Sequence, residues 1–202
     1  MNQMPEIDVE EARRDTATRT LDAAERTFRH YGYSKTTVAD IAGELGMSTA
    51  NIYRFFGSKV EIHQALCARM LATCYKQAYD TRHSLDSAET RLRRYVEEQH
   101  RWTVETMLDE HKVYEMIIVA IERDWQVIER HIDSIQDLVA EIIREGIATG
   151  EFAEQDPIVA ARCFGAATVS LCHPQMVAQC LAKENRATAS ELVDFAIRAL
   201  KR

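Results

Sequence analysis

Apolar residues recur at intervals of three and four along nearly the whole chain, and no stretch sustains the apolar–polar alternation of a strand. Ala17, Leu21, Ala24, Phe28 and Tyr31 form the inward stripe of a first helix over about Glu11 to Tyr31, ended by Gly32. After a turn at Tyr33-Ser34-Lys35, Thr36 or Thr37 caps a second helix, and Thr37 with Asp40 fits a capping box. Val38, Ile41, Ala42 and Leu45 make its buried face. Gly46 supplies a sharp turn of the kind glycine adopts without steric penalty. Ser48 or Thr49 then opens a third helix reaching about Phe56, with Ile52 and either Phe55 or Phe56 inward.

Gly57-Ser58 breaks that helix, and Ser58 with Glu61 predicts a capping box for a fourth, containing Ile62, Leu66, Met70 and Leu71. Leu92, Val96 and Gln99 share a helical face that runs to about Met107, with a break near Asp109. A shorter helix follows over about Lys112 to Ala120, and a long one over about Asp124 to Ala148. Asp156-Pro157, an N-cap carboxylate with proline at the first helical position, starts an almost uncharged helix to about Leu171. His173-Pro174 interrupts it, and Thr188 with Glu191 caps a last helix to Leu200. The expectation is an all-α chain of about nine helices.

Composition agrees. The 202 residues are 46% hydrophobic and 28% charged, with only 7 Gly and 3 Pro, as in a globular helical protein. No apolar run approaches the roughly 18–20 residues of a membrane span, and the first residues are acidic. A cytoplasmic protein without membrane contact is expected. The five cysteines, Cys67, Cys74, Cys163, Cys172 and Cys180, form no CxxC pair and sit among apolar residues, so they read as reduced packing groups. Net charge is −7, yet residues 13–60 hold eight Lys or Arg against five Asp or Glu. The acid excess lies elsewhere, so a nucleic-acid-binding head on an acidic body is electrostatically reasonable.

That head is where the chemistry lies. A helix fits the major groove and can present a few side chains to base edges while its neighbours hold phosphates. On the third helix Thr49, Asn51, Tyr53 and Arg54 form the outward group, next to Ser48. Lys59 at the start of the fourth helix, and Thr36 and Thr37 at the start of the second, stand where helix N-termini receive phosphates. The same residues also fit an ordinary capped helical hairpin, in a protein whose head does not read DNA.

The segment from Thr20 to Leu66 resembles the N-terminal domain of the tetracycline-repressor (TetR/AcrR) family. The resemblance runs through Ala24, Phe28, Gly32-Tyr33, Thr36-Thr37-Val38, Asp40-Ile41-Ala42, Gly46-Met47-Ser48, Ile52-Tyr53, Phe56 and Ser58-Lys59. It departs at Ala50, where glycine is common, and at Phe55, where histidine is common. The resemblance implies a homodimeric repressor that reads a palindromic operator in double-stranded DNA. A head over residues 10–58 would be joined by a fourth helix, about 59–80, to an effector and dimerisation domain over 81–202. Its last two helices would build a four-helix dimer bundle, here through Phe164, Val169, Leu171, Leu192, Phe195 and Leu200.

In the C-terminal part Trp102, Met107, His111, Tyr114, Met116, Ile117, Ile121, Trp125, Ile128 and His131 place both tryptophans and several amphipathic groups on consecutive helices. These are the side chains of a mostly apolar pocket with a few polar anchors, although plain helix packing uses them too. The resemblance puts a cavity for a small effector there, and an apolar or aromatic one suits the residues. No HExxH, GxSxG or glycine-rich phosphate loop occurs, so neither an enzyme nor a cofactor is expected. His100, His111, His131 and His173 share no metal-ligand spacing, and no metal is expected.

Overall fold

The computed structural model describes residues 6–108, 111–123, 126–181, 183–184 and 186–201, without the side chains of 6–10, 107, 108 and 111. Within these the chain is all-α. Helices α1 (Glu6–Tyr31), α2 (Val38–Glu44) and α3 (Thr49–Tyr53) form a head, and α4 (Lys59–Arg82) leads away from it. The body comprises α5 (Ala88–Trp102), a π-helical segment Thr103–Leu108, α6 (His111–Glu122), α7 (Gln126–Ala148), α8 (Pro157–Cys172), α9 (Pro174–Leu181) and α10 (Ala189–Leu200).

The caps settle the choices that pattern left open. Thr37, not Thr36, caps α2, in a complete box with Asp40. Ser48 rather than Thr49 caps α3, and its hydroxyl accepts from the Asn51 amide. Gly46 turns the chain at φ +64°, and Met47 N closes the turn onto Ala42 O at 2.9 Å. Asp156 caps α8 with proline in its first turn, and Thr188 with Glu191 forms the box of α10. At α4 the expected box is only half made: Ser58 accepts from Glu61 N, but the Glu61 carboxylate takes Gly57 N at 2.7 Å instead of Ser58 N.

Other boundaries differ from the pattern. The first helix begins at Glu6, five residues before the expected start. The third ends at Tyr53, because Arg54 is already its C-cap; Phe56 is the aromatic that packs on the head core. Position 109, where a break is expected, lies outside the described residues; just before it α5 widens into the π-helical segment. Pro174 opens a helix of its own where the pattern shows only an interruption.

Two cores result. In the head, Ala24 and Phe28 of α1, Ile41 of α2, Ile52 of α3 and Ile62 and Leu66 of α4 close around one another, and Met116 of α6 joins them. In the body, Leu92 and Val96 of α5, Ile142 and Ile143 of α7, Phe164 of α8 and Ile197 of α10 form the larger core. Helix α4 belongs to both. Its N-terminal half supplies Ile62 and Leu66 to the head, and its far end is held by ion pairs from Arg82 to Glu141 (2.5 Å) and Glu145 (3.0 Å) of α7. Gly146 of α7 lets Phe152 and Ala88 pack directly on the helix backbone.

Candidate nucleic-acid interface and effector domain

On the head surface α3 exposes Ala50, Tyr53 and its C-cap Arg54, with Tyr53 52% accessible. Thr49 and Asn51 are half-buried, and Asn51 Nδ2 donates to Met47 Sδ at 3.4 Å, which steadies its orientation. Ser48 is exposed but its oxygen serves the cap. Tyr53, and Arg54 at the C-cap of α3, are thus long polar groups that project into solvent, on a helix fixed from beneath by Ile52.

Three of the residues expected to hold phosphates have other work in this conformation. Thr36 is buried, and its hydroxyl donates to Gly32 O at 2.9 Å, so it is not a surface group. Thr37 is exposed, but its hydroxyl donates to Asp40 Oδ2 at 2.7 Å and receives the Asp40 amide. Hydrogen bonds from the Thr37 hydroxyl and backbone also hold the Asp40 carboxyl below its ordinary pKa. Lys59 Nζ donates to the carbonyls of Tyr33 and Thr36, both at 2.9 Å, and lies 4.4 Å from the Tyr33 ring centroid. Partial burial, then the Arg123 charge, lower its pKa. Lys59 therefore ties α4 to the turn before α2. Pattern reading passes over Lys35, an exposed cation in that same turn; its signal is a lysine two residues before a helix N-cap.

The aromatic set of the body does not form a single wall. Trp102 and Ile121 pack with Val113, Ile117 and Met70, whereas Ile128 joins Cys67, Ala120, Val60 and Val127. Met116 belongs to the head core, Tyr114 and His131 are half-buried, and burial lowers the His131 pKa. Trp125 and the side chains of Met107 and His111 lie outside the described residues. The six apolar residues expected at a subunit interface also divide. Phe164, Leu171 and Leu200 are buried in the chain's own core and Leu192 packs beside them, while Val169 and Phe195 face outward. Phe195 is 66% exposed, and with Val159, Cys163, Ala167 and Ala199 it borders an apolar groove between α8 and α10, floored by Phe164 and Leu200.

Among the described residues no three or more His, Cys, Asp or Glu side chains group so as to hold a metal ion, and no helix is long and apolar enough to cross a membrane. Comparison with known proteins places the arrangement. The transcriptional regulator BetI of Agrobacterium fabrum is 42% identical over 59 residues, 29% of this chain and 27% of that relative, so the match spans little more than a quarter of the relative's length. A TetR/AcrR-family regulator from Thermobifida fusca has a TM-score of 0.65 at 21% identity, over 92% of this chain and 96% of its own. A transcriptional regulator from Saccharomonospora viridis in complex with choline has a TM-score of 0.63 at 25% identity, over 93% and 94%. Residues 21–66 match the profile of bacterial regulatory proteins of the tetR family, and residues 88–193 match that of the tetracyclin repressor-like C-terminal domain. With more than half its length under the second profile, the chain belongs to the tetracycline-repressor family of bacterial transcriptional regulators, DNA-binding proteins and not enzymes.

Proposed function

We propose that this chain is a cytoplasmic homodimeric repressor that reads a palindromic operator through α3 and leaves it when a small organic effector occupies the body. The observation that carries the reading is the exposed Tyr53–Arg54 edge of α3, on a head locked by the Thr37 and Ser48 caps and the buried Ile52. Tyr53 and Arg54 have the reach for base edges or phosphates, and exposed Lys35 and half-buried Lys59 extend the cationic rim.

A second copy completes the reader. The groove beside Phe195, continued by exposed Val159, Val169 and the small residues Gly165, Ala166 and Ala167, is an apolar strip of the kind two-fold partners cover. Two such chains would set their third helices for successive major grooves, about 34–36 Å apart. The effector acts by preferring one of two separations of the heads, and its preference lowers operator affinity by linkage. Helix α4, held in both cores, and α6, whose Met116 sits in the head core, are the elements that carry a body rearrangement to the head. The choline complex of the Saccharomonospora viridis regulator supports a small organic molecule as the class of effector.

Selection of bound duplexes from a random DNA library, using the full chain, tests this. A two-fold symmetric consensus is expected, with retention that falls steeply as salt rises. Recovery of unrelated sequences with equal affinity would refute operator reading.

A further inference from the structure

The junction of α5, the π-helical segment and the α8–α9 break contains polar groups that the fold does not use. Gln99 is 7% exposed, stands on the otherwise apolar face of Leu92 and Val96, and its Nε2 has no hydrogen-bond partner among the described residues. His173 Nδ1 is likewise out of water, on a half-buried residue whose ring meets its own backbone. Buried polar atoms in folded proteins are nearly always satisfied, so the unpartnered Gln99 amide calls for a ligand.

The helix ends that carry Gln99 and His173 are joined at the backbone. Thr103, one turn beyond Gln99, donates to Gln99 O at 2.9 Å and stands 3.2 Å from Cys172 O. His100 Nδ1 lies 2.9 Å from Leu171 O. The end of α5 is thereby fastened to the last turn of α8, where His173 takes an extended conformation (ψ 120°) before Pro174. On the Gln99 side, α5 passes into the π-helical segment, a geometry that concentrates at functional sites.

Tyr95, one turn before Gln99, is buried near Cys172 and Cys74, and burial raises the pKa of all three, both thiols to about 12. Burial lowers that of His173. A carboxylate or ammonium placed here would meet no compensating charge among Tyr95, Gln99, Thr103, Cys172 and His173.

We infer that Gln99 is the polar anchor of the effector site and selects a neutral organic molecule bearing a hydrogen-bond acceptor. This rests on the effector-responsive reading above. The Gln99 amide donates to the acceptor.

The test uses the full chain and three probes that share a ring: acetophenone (neutral acceptor), toluene (no acceptor) and benzoate (anion), titrated by calorimetry. Acetophenone is expected to bind best, and Gln99→Met to cut its advantage over toluene by about tenfold while leaving the melting temperature equal or higher. In the unsubstituted chain the Gln99 side-chain amide resonances are expected to shift with acetophenone and not with toluene, a readout that holds even if the variant fails to fold. Binding of none of the probes, a preference for toluene or benzoate, or an unmoved Gln99 amide overturns the inference. Operator selection is independent of these titrations, so failure here with a symmetric operator in hand removes the anchor and leaves the regulator.

Discussion

Arg69 of α4 reaches Glu25 of α1 with an Nη2–Oε2 separation of 2.6 Å, and its Nη1 lies 2.5 Å from Asp22 on the same helix. Glu25 also receives Arg29 of its own helix at 2.9 Å, so one carboxylate joins a cation of α1 to one of α4. These groups are partly exposed, and solvent screening limits such a pair to about 1 kcal/mol. Arg69→Met is therefore expected to lower the melting temperature by about 2–4 °C. Amide exchange should accelerate in α1 and stay unchanged in α10, and the difference should shrink in molar salt. Equal protection of α1 in both proteins would show that the pair does not hold the head.

Arg54 and Lys59 separate by their surroundings. Arg54 is exposed, so Arg54→Ala should weaken operator binding and reduce the salt slope by about one, with stability within about 0.5 kcal/mol of the parent. Lys59→Ala strips the donor from the Tyr33 and Thr36 carbonyls and should cost about 1–3 kcal/mol of stability as well as affinity. Fluorescence anisotropy across a salt series, paired with thermal melts, measures both. Unchanged affinity in Arg54→Ala would remove it from the interface.

Much of the fold is legible in the sequence where the determining groups are neighbours in the chain. Thr37 with Asp40, Asp156 with Pro157 and Thr188 with Glu191 act over one to three residues, and each cap forms as the pattern predicts. Lys59 does not behave so, because the carbonyls it meets lie 26 and 23 residues away. The separation of Trp102 from Ile128 has a similar origin. A π-helical segment changes the angular register of the residues beyond it, and a 3.6-residue period cannot anticipate that. Helix α8 is apolar nearly all round, so periodicity could not tell Phe164, which packs inward, from Val169, which faces out. Pro174 illustrates the double meaning of proline, which ends one helix and suits the first turn of the next.

Phe195 sits outside the chain's own core, so its replacement tests association without testing the fold. Phe195→Glu is expected to leave the helical signal intact and convert a two-chain species to one chain by light scattering. Operator affinity should fall with it, because a monomer engages one half-site. A dimer of undiminished stability would place the interface elsewhere.

Gly146 makes the reverse case, a residue fixed by close packing. A Cβ there would lie 2.8 Å from Ala88 Cβ and inside the contact distance of the Phe152 ring. Gly146→Ala should destabilise the body by about 1–3 kcal/mol despite alanine's better helix propensity. The penalty should shrink in a Phe152→Leu background, a coupling that a double-mutant cycle of denaturant midpoints measures. Additive effects would mean that the ring moves aside freely.

His63 of α4 is fully buried, with its ring 4.3 Å from that of Tyr33 and 5.9 Å from that of Phe28. Burial, with the Arg123 and Lys59 charges adding to it, lowers its pKa from 6.5 to about 4; a hydrogen bond with the Met116 backbone pulls the other way. The folded pKa lies below the unfolded one, so as pH falls the unfolded chain takes up the proton first. The stability that neutral His63 contributes is complete above pH 6.5, declines between 6.5 and about 4, and is gone below that. The shift corresponds to about 3 kcal/mol over the whole window. His63→Phe keeps the ring packing and removes the titration, so its urea midpoint should fall less than the parent's between about pH 7 and pH 5. Carboxylates and the other histidines are common to both proteins and cancel in the comparison. Parallel pH profiles would show that His63 is protonated at no cost within the folded head.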